Sequence, residues 1–435
     1  MNSELGYLGY SLPIDNLPSH FLKNIRSDLY VKPIENPNFT TNIASYPIFR
    51  MSKNKIYLPR YYGITEYSQP IKRNFIEPDK VNLTFVGTLR EIQQTTVDET
   101  LKICSLYGGG LISLDTGLGK TVVALKLISL LKVKALIVVH AEFLLDQWIT
   151  RIKQYLPDAR IGVIRQDKCE ITDCDISVAM IQTLIKREYP KDTFKSFGFM
   201  TIDETHHVAS KTFGTLFFKI QTVYMIGLSA TPERKDGLSK VIYWFLGPQI
   251  VNIKRDTDKP KIKFIYPDVT GYEEKHNKLG KINNPTMITD LANNEIRNEL
   301  IIKEIKENLK EQRKILVLSD RRSQCEYFLK KLQEQNITSG LYLGGMKSEN
   351  RDVTVNCSVI IGTYQASGEG FDVPELDTLI LATPKSDVQQ AVGRILRQKN
   401  KNEPVVIDIV DSFSIFKGQF YKRKKFYKIS LFKYL

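Results

Sequence analysis

The run Asp115-Thr116-Gly117-Leu118-Gly119-Lys120-Thr121 holds the residue types that bind a polyphosphate. Glycines let backbone N–H groups curl around a β-phosphate, a lysine reaches the β- and γ-phosphates, and a threonine offers its hydroxyl to Mg2+. Thr116, Gly117, Leu118, Gly119, Lys120 and Thr121 are therefore read as a nucleotide cradle, with Lys120 catalytic and Thr121 a metal ligand. Leu114 stands where the first glycine of the common pattern would be, leaving the form x-T-G-x-G-K-T. Asp203 lies 83 residues beyond Lys120, and it and Glu204 come directly after the apolar run 199–202. Behind a phosphate loop such a pair has two tasks: Asp203 holds Mg2+, and Glu204 takes a proton from the water attacking the γ-phosphate. Of the two histidines that follow, His207 is expected to bond across to a neighbouring motif, and His206 to be a local structural or solvent-facing residue. No third ligand at suitable spacing makes them a zinc site.

These residues need a rigid support, and the chain has the pattern of one. Short β-branched runs at 111–114, 135–139, 176–180, 199–202 and 224–228 alternate with helical stretches, as in a parallel sheet wrapped by helices. The pattern resumes at 315–318, 340–343, 359–362, 379–382 and 405–409, after a helix with apolar positions at Leu300, Ile301, Ile305 and Leu309. Between them, 253–290 is polar and lysine-rich and reads as a connection, with at most a strand near 262–265. Eight of the 18 prolines precede residue 80, which excludes long helices there. The expected organisation is a small β-rich or irregular N-terminal unit over 1–86, α/β domains over 87–252 and 291–435, and a linker over 253–290.

Composition narrows the class. The 435 residues are 42% apolar and 25% charged, values of a folded globular chain, and exclude collagen-like, mainly disordered and membrane-embedded chains. Lys and Arg number 62 against 48 Asp and Glu, a net +14 that favours a polyanionic partner. The tail beyond Phe413 interleaves seven basic residues with aromatics and reads as a docked helix or a nucleic-acid contact. The five cysteines form no C-x2-C pair, which fits a reducing compartment, and the start lacks the features of a secretory signal. An intracellular protein is expected, with no membrane partner.

Further motifs in order along the chain resemble those of the superfamily 2 DExH-box helicases and translocases, over about residues 87–412. Leu89-Arg90-Glu91-Ile92-Gln93 looks like the family's adenine-recognition element, which implies Gln93 as the base contact. Val138 to Trp148 and Ser177 to Leu184 resemble its strand-contact motifs, with Gln182 and Thr183 implied as contacts. Ser229-Ala230-Thr231 matches the motif that couples hydrolysis to movement. Ile361 to Pro374 resembles motif V, which implies Thr363 at the nucleic-acid backbone and Gly370 and Asp372 near the nucleotide. Gln389-Gln390-Ala391-Val392-Gly393-Arg394-Ile395-Leu396-Arg397 matches motif VI, implying Gln390, Arg394 and Arg397 as catalytic, the arginines as fingers on the γ-phosphate. Such fingers are worth about 10³–10⁵ in rate.

Ser229 to Gly237, Gly345 to Arg351 and Asp408-Ile409-Val410-Asp411 are similar to the repair-type duplex DNA translocases of phage and eukaryotes. Lys55 to Ile64 is similar to a segment of the transcript-release helicases of poxviruses and other large DNA viruses. The resemblance implies two tandem RecA-like α/β domains with an N-terminal accessory domain, using ATP and Mg2+ on single- or double-stranded DNA. A viral member would sit in a virion or an infected cell's cytoplasm, in transcript release or in repair and recombination. RNA or a transcription complex are the other partners it allows. An RNA helicase and a nucleic-acid-binding scaffold with a degenerate ATP site are the competing readings.

Overall fold

A run such as Ala135–Val139, apolar at every position, must be covered on both faces, which parallel sheets flanked by helices achieve. The computed structural model describes residues 2–15, 17–34, 44–115, 117–208, 210–230, 237–254, 259–268, 270–346, 350, 353–368, 371, 373–398 and 400–435, without the side chains of 207, 210, 367 and 368. The chain divides into two compact units, Met1–Arg255 and Asp256–Leu435.

The first unit holds an eight-stranded sheet. Its order is Lys168–Cys169, Ile161–Arg165, Ile176–Met180, Ala135–Val139, Phe199–Ile202, Tyr224–Ser229, Gly109–Leu114, Gln249–Ile253, parallel except for the first pair. Successive side chains go to opposite cores: Leu136 and Val138 join one cluster, and Ala135, Ile137 and Val139 the other. The order makes Phe199–Ile202, Tyr224–Ser229 and Gly109–Leu114 consecutive neighbours, so the loops after their carboxyl ends meet. Those loops carry Asp203 and Glu204, Ala230, and Lys120.

The N-terminal residues form a five-stranded sheet, ordered Arg50–Met51, Lys55–Leu58, Gly9–Pro13, Glu4–Gly6, Lys72–Asn74. It shares a core with the larger sheet: Leu5, Tyr10, Leu12, Ile56 and Leu58 cluster with Leu136, Val138, Met200 and Phe245. Arg60 fastens the two. It is buried, and its guanidinium donates to the carbonyls of Thr222 (3.2 Å), Val223 (3.0 Å) and Tyr107 (3.1 Å). Gly108 makes the approach possible, since a Cβ there would lie 2.0 Å from Arg60 Nη2 and its φ is +86°. Tyr61 and Tyr62 are buried, as packing aromatics rather than exposed platforms.

The second unit has a parallel seven-stranded sheet, ordered Ser339–Tyr342, Val359–Thr363, Ile315–Ser319, Thr378–Leu381, Val405–Ile409, Lys261–Ile265, Lys433–Tyr434. The expected linker 253–290 therefore supplies a full strand of this sheet, and the helix Asn284–Asn293. The strand allowed near 262–265 runs over Lys261–Ile265, with Ile262 fully buried between the two lysines. The tail docks as the helix Ser414–Ile429, burying Phe416, Phe420, Arg423 and Tyr427.

Asp408 and Asp411 anchor this unit from inside. Arg423 grips Asp408 with Nε to Oδ2 and Nη2 to Oδ1, both 2.8 Å, and Tyr427 donates to the same carboxylate at 2.9 Å. Arg297 grips Asp411 at 2.9 and 2.8 Å. Burial pushes the Asp408 carboxyl above its ordinary range despite the cation beside it. Removing one partner of such a pair strands the other charge, at about 3–5 kcal/mol. Arg423→Ala is expected to lower unfolding stability by about that amount in urea titrations, with Arg423→Ala/Asp408→Ala losing less than the two single changes together.

Candidate active site

The phosphate loop forms where a fully buried strand, Gly109–Leu114, meets the helix Lys120–Leu131. Gly117 (φ +82°) and Gly119 (φ +90°) have left-handed backbone, and Gly119 caps the helix. A Cβ on Gly119 would lie 2.2 Å from Gln93 Nε2 and displace that side chain, and at φ +90° any side chain is strained. Arg90 and Gln93 brace the loop: Arg90 Nη2 donates to Gly117 O at 3.0 Å, and Gln93 Nε2 to Leu118 O at 3.0 Å. Gln93 Oε1 also accepts from Arg90 N, capping the helix Glu91–Tyr107.

Lys120 Nζ donates to Leu114 O at 3.4 Å and lies 3.3 Å from Glu204 Oε1. Glu204 Oε2 is 3.3 Å from His206 Nδ1, and that nitrogen is 2.9 Å from Ser229 Oγ. Close contacts thus run from Lys120 through Glu204 to His206 and Ser229, from the phosphate loop to the S-A-T segment, the Glu204–His206 contact being an ion pair when the imidazole is protonated. Glu204 has φ +46°, a strained conformation for a residue with a side chain. Asp203 is buried, with Oδ2 accepting from Trp148 Nε1 at 2.8 Å and Oδ1 from Glu204 N at 3.0 Å. Burial, with the Glu204 charge beside it, pushes its carboxyl up to about 6. The donor set fits Mg·ATP: a carboxylate and the Thr121 hydroxyl are hard oxygen ligands, and Lys120 with the N-terminus of a 12-residue helix suits phosphate.

The second unit gathers its own motifs. Thr363 ends the strand Val359–Thr363, and its Oγ1 accepts from Ala366 N at 3.3 Å. The helix Gln389–Gly393 leads into the single turn Arg394–Leu396. Arg394 Nη1 donates to Phe371 O at 2.7 Å, and Arg397 Nη2 to the same oxygen, so motifs V and VI meet at one carbonyl.

Over 444 residues the chain is 33% identical to a protein of Acanthamoeba polyphaga mimivirus named as an ATP-dependent RNA helicase, covering 98% of this chain and 85% of that one. The chain belongs to the superfamily 2 helicases. A protein named as a helicase in Invertebrate iridescent virus 6 is 29% identical over 412 residues, 89% of this chain and 88% of that one. One from African swine fever virus named as an ATP-dependent RNA helicase is 30% identical over 370 residues, 77% and 72% respectively. The family described as type III restriction enzyme, res subunit, matches residues 87–234, and the helicase conserved C-terminal domain matches 296–399. The crystal structure of T4 UvsW aligns with 100% of this chain and 99% of its own at a TM-score of 0.40 and 19% identity.

In this superfamily 2 helicase, a helicase-type ATPase with two tandem RecA-like domains, Lys120, Asp203, Glu204 and Ser229 come together, with Gln93 beneath the loop. Thr121 lies next to Lys120 at the start of the same helix. Gln390 shares the helix that leads to Arg394. Gln182 is exposed at the carboxyl edge of the sheet and donates to His140 O at 2.8 Å, while Thr183 is buried and accepts from Gln166 N at 3.1 Å. Thr116, Thr231, Gly370 and Asp372 lie outside the described residues, as does the side chain of His207. Of the two expectations for His206, local structural or solvent-facing, the second is corrected: its side chain is 12% exposed and its Nδ1 lies against Ser229 Oγ. The signal was present in the D-E-x-H spacing, since His206 and not His207 stands two residues after Glu204. Trp148 was also missed as the donor to Asp203, because 55 residues separate them in sequence.

Proposed function

We propose that this chain hydrolyses Mg·ATP in its first unit and uses the cycle to move on or unwind DNA, in transcript release or in repair and recombination. The carrying observation is the line of contacts Lys120–Glu204–His206–Ser229, through which a change at the γ-phosphate reaches the S-A-T segment. Lys120 binds the β- and γ-phosphates, Glu204 takes the proton of the attacking water, and Gln93 faces the adenine edge. Thr121 and Asp203 hold Mg2+, which when bound offsets the charge of the phosphate oxygens. Thr231 and His207 belong to the coupling segment, Gly370 and Asp372 to the nucleotide side of motif V, and Gln182, Thr183 and Thr363 to the strand contact. Gln390, Arg394 and Arg397 complete the hydrolytic machinery.

Steady-state ATP hydrolysis with single-stranded DNA, duplex DNA and RNA, at two salt concentrations, tests this. Stimulation by DNA that fades with salt supports the reading; hydrolysis absent under every condition leaves the scaffold. The mimivirus and African swine fever virus names favour a second reading, an RNA helicase, which stimulation by RNA alone would establish.

Trp148 offers a narrower check. Trp148→Phe leaves a smaller aromatic ring and removes the donor to Asp203, a bond to a charged group worth about 1.5–3 kcal/mol. The magnesium concentration for half-maximal hydrolysis is expected to rise about tenfold or more, together with a lower melting temperature from the space left by the buried indole.

A further inference from the structure

The tail helix Ser414–Ile429 has two unlike faces. Phe416, Phe420, Arg423 and Tyr427 form the buried stripe, and the positions one residue on, Lys417, Tyr421, Lys424 and Lys428, form a stripe with the same spacing in solvent. Lys422 and Lys425 flank it and are exposed too. Tyr421 is 56% exposed. No Asp or Glu occurs after Asp411, and none of these five lysines forms an ion pair among the described residues. Five cations thus stand unneutralised on one helix.

That helix is held firmly. Arg423 ties it to Asp408, and its Nη1 donates to Lys385 O at 2.6 Å. Lys385 follows closely on Thr383, whose carbonyl accepts from Tyr364 OH at 3.0 Å, and Tyr364 adjoins Thr363. The buried face of the helix is therefore tied, through residues 383–385, to Tyr364 next to Thr363, and the basic face points away from that attachment. From Lys417 to Lys428 the helix rises about 16 Å at about 1.5 Å per residue. One strand of a duplex presents about five phosphates over that length, at about 3.4 Å each, a match in number to the five lysines.

We propose that the exposed face of Ser414–Ile429 is a second nucleic-acid contact, distinct from the motif residues, that takes the phosphate backbone without reading sequence. This inference rests on the proposed nucleic-acid motor. Its ligand chemistry is a run of phosphodiesters, and duplex and single-stranded arms of one experiment separate the two sources. Tyr421 adds a flat ring among the cations, suited to a sugar or an unstacked base.

The test is the salt dependence of binding. The full chain and its K417Q/K422Q/K424Q/K425Q/K428Q variant are titrated, without nucleotide, against fluorescein-labelled duplex DNA, single-stranded DNA and RNA over a range of NaCl. Each neutralised phosphate contributes about 0.9 to the slope of log K against log salt on duplex and about 0.7 on single strands. The variant's slope is expected to be shallower by about 4 on its preferred form, with an unchanged melting temperature because the replaced side chains lie in solvent. A control, K303Q/K306Q/K310Q, removes exposed charge from another helix of the same unit. An unchanged slope in the five-lysine variant, or an equal loss per lysine in the control, would overturn the inference while leaving the motor intact. Anionic phospholipid vesicles binding the wild type but not the variant, with DNA and RNA slopes unchanged, would assign the face to a membrane and overturn it as well. Wild type that binds no nucleic acid at any salt would overturn both this inference and the reading beneath it.

Discussion

Glu204→Gln is expected to lower kcat for ATP by about 10²–10⁴, the usual contribution of a positioned general base, with KM nearly unchanged. The geometry sets this expectation. Glu204 is held from both sides, Oε1 at 3.3 Å from Lys120 Nζ and Oε2 at 3.3 Å from His206 Nδ1, on a left-handed backbone that fixes its direction. A glutamine occupies the same space and keeps a carbonyl oxygen for Lys120, so the fold is spared and only the proton acceptor goes. Lys120→Ala differs in kind: it removes the cation that meets the phosphates and leaves Glu204 without its neighbour, so KM should rise as kcat falls. Both variants are expected to retain salt-sensitive binding of nucleic acid, since neither residue faces that surface in the proposed scheme. Single-turnover hydrolysis and nucleotide titrations measure the two effects separately. Undiminished turnover in both variants would sink the catalytic assignment.

The strands that position these residues were legible in the sequence wherever they lie inside a sheet. Ala135–Val139, Ile176–Met180, Phe199–Ile202 and Val405–Ile409 have the boundaries that their mainly apolar runs imply, because both faces are covered; only Ser177, Thr201 and Asp408 interrupt those runs. The edge strand Ser339–Tyr342 matches the run expected at 340–343, whereas strands of mixed burial or polarity gave a weaker signal or none. Ile161–Arg165 and Gln249–Ile253 keep only partial burial at most positions, and Lys261–Ile265 carries lysines, so none presents the continuous apolar signal. The candidate site divides in the same way. Glycines, a lysine and paired carboxylates in one local run announce themselves. Contacts between distant segments do not, which is why Trp148 against Asp203, Gln93 beneath Leu118 and Arg60 on three carbonyls needed coordinates. The D-I-V-D segment, read as a family marker, also has a structural task that its sequence does not announce: its two aspartates are buried anchors for Arg423 and Arg297.

Arg397→Gln is expected to be as inactive as Arg397→Ala, with kcat reduced about 10³-fold or more and KM for ATP little altered. Two roles compete for this residue, and glutamine separates them. In the structure Arg394 and Arg397 both donate to Phe371 O, so each can be a brace for the motif V backbone. A brace needs a donor, and a glutamine amide supplies one. Stabilising a γ-phosphate in transition needs a positive charge, which glutamine lacks, and such charge is worth most where water is excluded. Arg394 is only 6% exposed, so Arg394→Ala also opens space in the core and should lower the melting temperature, whereas the half-buried Arg397 can lose its head group with less damage. Activity lost in Arg397→Gln at an unchanged melting temperature assigns it to the reaction; activity kept in Arg397→Gln but lost in Arg397→Ala assigns it to the brace. Phe371 O accepts from both guanidinium groups through its two lone pairs, so bracing uses two N–H donors and no charge, and the glutamine variant isolates the charge alone.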